Sequence, residues 1–209
     1  MNSRKTLYLV RHAKSDWEDP ALADRDRPLA ARGRKAASTL AGHIERSGIS
    51  PALVLCSPAR RTMDTLRLIS GSFRDPVEIL VEDELYGAPM GELLRRLRRV
   101  PAPTPSVMLI GHNPAIHELA LTLLSRGASR GADRPLSGAL RGADRPLSGA
   151  LRGASGARSV DSLKQLKVKF PTGAMATLAV PGPWKDLGDE PADLLEFVLP
   201  RELSPPDAE

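Results

Sequence analysis

A chain of 209 residues with 41% hydrophobic and 26% charged side chains has the size of one globular domain with a substantial core, which excludes a disordered or fibrous protein. Its apolar runs are strand-length, which excludes a membrane-spanning helix, and no apolar stretch follows Arg4 and Lys5 as a secretion signal would require, so a cytoplasmic protein is expected. The one cysteine, Cys56, excludes an internal disulfide and a multi-cysteine zinc site, and the net charge of +5 is local: removing the seven Arg and two Asp of residues 126–158 from the 30 basic and 25 acidic residues leaves 23 of each.

The first predicted strand, residues 7–10 (LYLV), runs directly into Arg11-His12 and presents a cation and an imidazole at its carboxyl end. Ala36, Ala37, Leu40, Ala41 and Ile44 then form one helical stripe. Residues 52–55 (ALVL) are a second strand ending in Cys56-Ser57-Pro58-Ala59-Arg60-Arg61, where Ser57 suits a helix cap, Pro58 the first helical position and Arg61 the first turn. Residues 77–81 are a third apolar run of the buried-strand kind. Leu93, Leu94 and Leu97 alternate with Arg95, Arg96, Arg98 and Arg99, as on an amphipathic helix with a solvated basic face. Residues 107–110 (VMLI) form a fourth strand ending in Gly111-His112-Asn113-Pro114, with Asn113 as the expected cap and Pro114 at the first helical position. Ile116, Leu119, Ala120, Leu123 and Leu124 continue as a helix.

Between residues 126 and 158 the periodicity stops, and RGADRPLSGAL occurs twice in succession at 130–140 and 141–151. Two leucines per copy bury too little area to offset the entropy of ordering, so this segment is expected to be a flexible surface insertion. Residues 174–180 and 194–199 read as further strands and 204–209 as a frayed polar tail. The whole predicts one α/β domain over 1–209: a three-layer sandwich with a mainly parallel sheet between helices. Ligands in such folds bind beyond the carboxyl ends of the strands.

Arg11, His12, Arg61 and His112 all fall at those strand ends. Two helix N-termini facing the same crevice suit an anion. Phosphoryl transfer spreads negative charge over three equatorial oxygens, which Arg11, Arg61 and His112 can neutralise. His12 could attack through a ring nitrogen with a free lone pair, and the neighbouring arginines disfavour the imidazolium. Cys56 fails as an alternative nucleophile, because cysteine phosphatases carry an arginine six positions on and this chain has Thr62 there. His43 and His117 read as ordinary helix residues. No acidic residue joins His112 and His117 in a metal-binding pattern, so neither metal nor cofactor is expected.

The segments LYLVRHAKSDW, RPLAARG, LCSPARRTMDT, VEDELYGAP, LIGHNPAIHELA, FPTGAMATLAV and FVLPREL, in this order and spacing, resemble the SixA-type branch of the histidine phosphatase superfamily. The resemblance implies a phosphoglycerate mutase-like fold and a metal-independent phosphatase that forms a phosphohistidine intermediate. It implies His12 as nucleophile, with Arg11, Arg61 and His112 around the phosphate. Arg61 is preferred over Arg60 because the spacing from Ser57-Pro58 through Arg61 to Thr65 is the family's. Ala13 departs from the superfamily's usual glycine. Glu84 matches the position where related phosphatases and mutases carry a proton-donating carboxylate, although Glu82, Asp83 and Glu84 also read as a solvated acidic loop. The compact chain resembles SixA in lacking a long helical insertion, which implies a small cap and an open pocket suited to a phosphorylated protein side chain. Three alternatives remain on this reading: a small-molecule phosphomonoesterase or mutase of the same superfamily, a phosphate-binding regulatory module without turnover, and nucleic-acid attachment through the Arg-rich repeat, which the neutral body disfavours.

Overall fold

The computed structural model describes residues 4–125 and 153–203. Along the chain run β1 (Lys5–Arg11), α1 (Ala31–Arg46), β2 (Leu53–Cys56), α2 (Arg60–Ser70), β3 (Glu78–Val81), α3 (Met90–Arg98), β4 (Ser106–Gly111), α4 (Ala115–Ser125), α5 (Gly153–Val168), β5 (Met175–Val180) and β6 (Asp193–Val198). The six strands form one sheet in the order β3-β2-β4-β1-β5-β6. All pair in parallel except β5, which runs antiparallel to both β1 and β6.

Continuous apolar runs form the central strands because helices cover both faces. Leu7, Leu9, Leu53, Leu55, Val107 and Leu109 pack with α3, α4 and α5 on one face. Their neighbours in sequence, Val10, Val54, Cys56, Met108 and Ile110, pack with α1 and α2 on the other. The result is the three-layer sandwich expected from the sequence. The chain leaves β1 toward α1 on one face and leaves the adjacent β4 toward α4 on the opposite face, so a crevice opens between their carboxyl ends.

Four expectations need correction. The third apolar run is an edge strand with Ile79 and Val81 exposed, because only β2 pairs with it. Helix α2 starts after Ala59, two residues beyond the expected Pro58, because the Ser57 hydroxyl meets His112 and the Ser57 carbonyl accepts from Thr62. Helix α4 starts at Ala115, and the Asn113 side chain donates to the Phe170 carbonyl rather than capping the helix. Finally, 153–158, expected within the irregular insertion, are the first residues of α5. The two repeat copies and the tail at 204–209 lie outside the described residues.

Candidate active site

His12 and His112 emerge from the adjacent ends of β1 and β4. Their separation is fixed by register, with Arg11 opposite Gly111 and the His12 N–H donating to the Gly111 carbonyl at 3.1 Å. The two rings lie 5.1 Å apart between centroids, tilted by 53°. Ser57, at the end of β2, donates its N–H to the Ile110 carbonyl and sets its hydroxyl 2.8 Å from His112 Nε2.

His12 is 8% exposed, and its Nδ1 lies 2.7 Å from the Ala13 carbonyl. A carbonyl oxygen carries no proton, so Nδ1 must donate, and in the neutral ring the lone pair is then on Nε2. Burial is the main force that lowers the His12 pKa to about 3; the Ala13 hydrogen bond opposes it, while His112, Arg61 and Arg11 add to it. The sequence had suggested the arginines as the cause. They contribute, but desolvation dominates. His112 is lowered to about 4, again chiefly by burial, then by Arg61, with Asp24 opposing. Both rings are therefore neutral near pH 7.

The cations are held by backbone and side-chain acceptors. Arg11 donates from Nη1 to the Phe170 carbonyl at 2.8 Å, and its buried Nε meets no partner among the described residues. Arg61 is 7% exposed and sits in the first turn of α2. Its terminal nitrogens donate to the Asp24 carbonyl and to Asp24 Oδ2, the latter at 2.9 Å. The guanidinium carbon also lies 6.0 Å from the centroid of the Tyr86 ring. Arg60, its neighbour, is exposed and pairs loosely with Asp64 at 3.9 Å. The main chain at Ala13 is anchored by donation to Thr65 Oγ1 at 3.0 Å, and its methyl packs with Leu29 and Ala37.

Asp24 is a site residue that the sequence did not disclose. Besides Arg61 it accepts from the Tyr86 hydroxyl at 2.9 Å and from Arg27 at 3.2 Å. Burial raises its pKa, but the bonds from Tyr86 and Arg61 and the charges of Arg61 and Arg27 outweigh that, so it is held ionised. Tyr86 also sets its ring edge-on to His112 at 5.7 Å. In sequence Asp24 belongs to an ordinary charged stretch, ADRDRP. Only the tertiary fold carries it to Arg61.

Glu84 makes no hydrogen bond or ion pair to this cluster among the described residues. It is exposed on the 3-10 turn Asp83–Leu85 and lines a cleft with Glu82, Glu92, Arg95, Arg96 and Arg99. Of the arginines expected on a solvated face, Arg96 grips Glu82 at 2.6 and 2.7 Å and Arg98 reaches Asp189 and the Leu187 carbonyl, while Arg95 and Arg99 are exposed. Cys56 is buried with its pKa pushed up to about 12 by desolvation, which leaves an inert thiol. His43 pairs with Glu196 on the surface of α1, and His117 reaches the Leu166 carbonyl to tie α4 to α5. Among the described residues no three His, Cys, Asp or Glu side chains are grouped as a metal site requires, and no helix is long and apolar enough to cross a membrane.

A mainly parallel sheet whose two histidines and two arginines meet at the β1–β4 crevice defines an α/β protein with a cationic site at its strand ends, and comparison gives the class a family. The family model of the histidine phosphatase superfamily, branch 1, matches residues 7–96. The uncharacterized protein Rv1276c of Mycobacterium tuberculosis is 30% identical over 192 residues, 92% of this chain and 100% of its own length. A structure from Nakamurella multipartitia, assigned as a phosphohistidine phosphatase SixA, is 27% identical with a TM-score of 0.71, covering 94% of this chain and 96% of that one. Phosphoglycerate mutase of Plasmodium falciparum shares the fold at 14% identity and a TM-score of 0.54, over 100% of this chain and 98% of its own. The chain belongs to the histidine phosphatase superfamily, branch 1, has a phosphoglycerate mutase-like fold, and resembles SixA within that family.

Proposed function

We propose that this protein is a phosphatase that removes phosphate from phosphohistidine on a protein, with His12 as the nucleophile. The observation that carries this reading is the orientation of His12: Nδ1 is occupied by the Ala13 carbonyl, the ring is neutral, and its free nitrogen belongs to a cluster containing Arg61 and His112. Binding alone would need the cations but no tautomer-fixed, deprotonated imidazole, which argues for turnover over a regulatory phosphate-binding module.

In the proposed reaction Nε2 of His12 attacks phosphorus and the bond from phosphorus to the leaving atom breaks. Arg11 and Arg61 bear the charge on the equatorial oxygens, to which the neutral His112 can donate a hydrogen bond. Water then attacks the phosphorylated His12, releasing inorganic phosphate and restoring the neutral ring. An alkoxide leaving group needs a proton at its bridging oxygen, whereas phosphohistidine can be protonated by solvent on its other ring nitrogen and depart as neutral imidazole. Asp24 is held as the anion, and Glu84 is exposed with no hydrogen bond to the cluster. That arrangement supports a substrate whose departure requires no acid from the enzyme.

The test is an alkaline denaturant quench in mid-reaction with a phosphohistidine peptide. An acid-labile phosphate on His12 of the wild type is expected, with turnover abolished in His12→Ala. Substantial activity in that variant would overturn the assignment.

A further inference from the structure

Beside the catalytic cluster, on the β5–β6 side of β1, lies an open cavity of about 550 Å³ whose lining includes Arg11, Lys14, Arg32 and Arg201 and no carboxylate. The cations come from four places: the end of β1, the segment after it, the first turn of α1, and the 3-10 turn Pro200–Glu202. Arg11 lines this cavity and also belongs to the catalytic cluster, so the two adjoin.

The charges are held in place without being neutralised. Among the described residues neither Lys14 nor Arg32 has an ion-pair partner, and Arg201 has only a 3.5 Å contact with Glu202, both side chains exposed. Exposed pairs of that kind are weak. The Lys14 carbonyl accepts from the Ala30 N–H at 2.9 Å, and Ser15 bridges to Leu29. Gly33 permits this close approach, since a Cβ there would collide with the Lys14 carbonyl oxygen. Lys14 is thereby fixed on the same rim as Arg32. The first turn of α1 carries Arg32 and no acidic residue, which sets a cation against the positive end of the helix. An anion in the cavity would relieve that repulsion and the repulsion among the cations themselves.

We propose that Lys14, Arg32 and Arg201 form an extension of the active site that binds carboxylate side chains flanking the phosphorylated residue of a polypeptide substrate. The inference rests on the phosphatase reading and specifies its substrate class. A polypeptide fits because the cations are spread over separate elements around a wide, open cavity instead of converging on one point. Carboxylates several residues apart would match that spread, Lys14 reaching them as a flexible point charge and Arg32 as a planar two-pronged donor.

The experiment compares phosphohistidine peptides with acidic flanks, matching peptides with neutral flanks, a sugar bisphosphate and phosphoimidazole, for wild type and for the triple variant Lys14→Ala, Arg32→Ala, Arg201→Ala. The wild type is expected to show a KM about tenfold lower for acidic than for neutral flanks, shrinking as salt is raised. The triple variant should erase that difference while keeping kcat on phosphoimidazole and its Tm. No preference for acidic flanks, an equal loss on every substrate, or a preference for the sugar bisphosphate would each overturn the proposal. Acidic-peptide binding by fluorescence anisotropy, lost in the variant, is read separately. If the wild type turns over none of the substrates the phosphatase reading fails, and the anisotropy result still decides the cavity's role.

Discussion

The buried, neutral state of His12 has a measurable cost in acid. Unfolded, a histidine titrates near 6.5, whereas His12 in the folded chain titrates at about 3. Between those values the unfolded chain takes up a proton that the folded chain refuses, so stability falls as pH drops through that window. Each pKa unit is worth about 1.36 kcal/mol, and at about pH 5 some 1.5 units of the shift have been traversed, giving a loss from His12 of roughly 2 kcal/mol relative to pH 7. Burial at 8% exposure keeps solvent screening from reducing this much. The assay is urea unfolding of wild type and His12→Asn at about pH 7 and pH 5; Asn retains a donor for the Ala13 carbonyl but does not titrate. Carboxylates elsewhere titrate equally in both proteins, so the wild type should lose about 2 kcal/mol more than the variant. Equal losses would mean that His12 is not held neutral, and the lone pair assigned to Nε2 near neutral pH would lose its physical basis.

Replacing Glu84 by Gln should leave phosphohistidine hydrolysis within about a factor of ten. The same variant assayed on phosphate esters reads any acid role, and a loss of about 10²-fold there would show that the Asp83–Leu85 turn moves Glu84 onto bound substrate. Asp24→Asn should lower kcat/KM by about tenfold through loss of the anchor on Arg61, with stability changed by no more than about 1 kcal/mol since the Asp24 side chain is half exposed; a rise in kcat/KM would show instead that the carboxylate competes with the phosphoryl group. Deleting one RGADRPLSGAL copy should leave Tm and kcat nearly unchanged, because loop-closure entropy changes slowly with length. A large drop in either, followed by thermal melts and steady-state rates, would refute that expectation.

The central strands were legible because each is apolar on both faces, a pattern that needs helices above and below whatever the details. Residues 77–81 carry the same apolar signal yet form an edge, since pairing partners are a property of the sheet and not of the segment. Arg11, His12, Arg61 and His112 could be read because each follows or lies close behind a strand end. Asp24 and Tyr86 could not, since their significance lies in reaching Arg61 across 37 residues of sequence and His112 across the crevice. Ser57 misled for a related reason: its hydroxyl is a good helix cap, but His112 competes for it. The start of α5 was hidden by glycine and serine at 153–156, which argue locally against helix.

Helix α4 begins at the crevice beside His112 and ends at Ser125, and α5 returns to the crevice at Phe170, whose carbonyl holds Arg11. The Leu123 carbonyl near the end of α4 accepts from Ala192, just before β6 begins, so the chain enters and leaves the intervening segment at the sheet's amino end. Two antiparallel helices thus separate this junction from the chemistry by about 15 Å or more, at 1.5 Å per helical residue. Added length there is expected to leave strand register and the distances around His12 unchanged. A tandem duplication of eleven residues is expected to be tolerated at this junction, whereas between β1 and α1 it would act on the chain that holds Lys14 against Gly33.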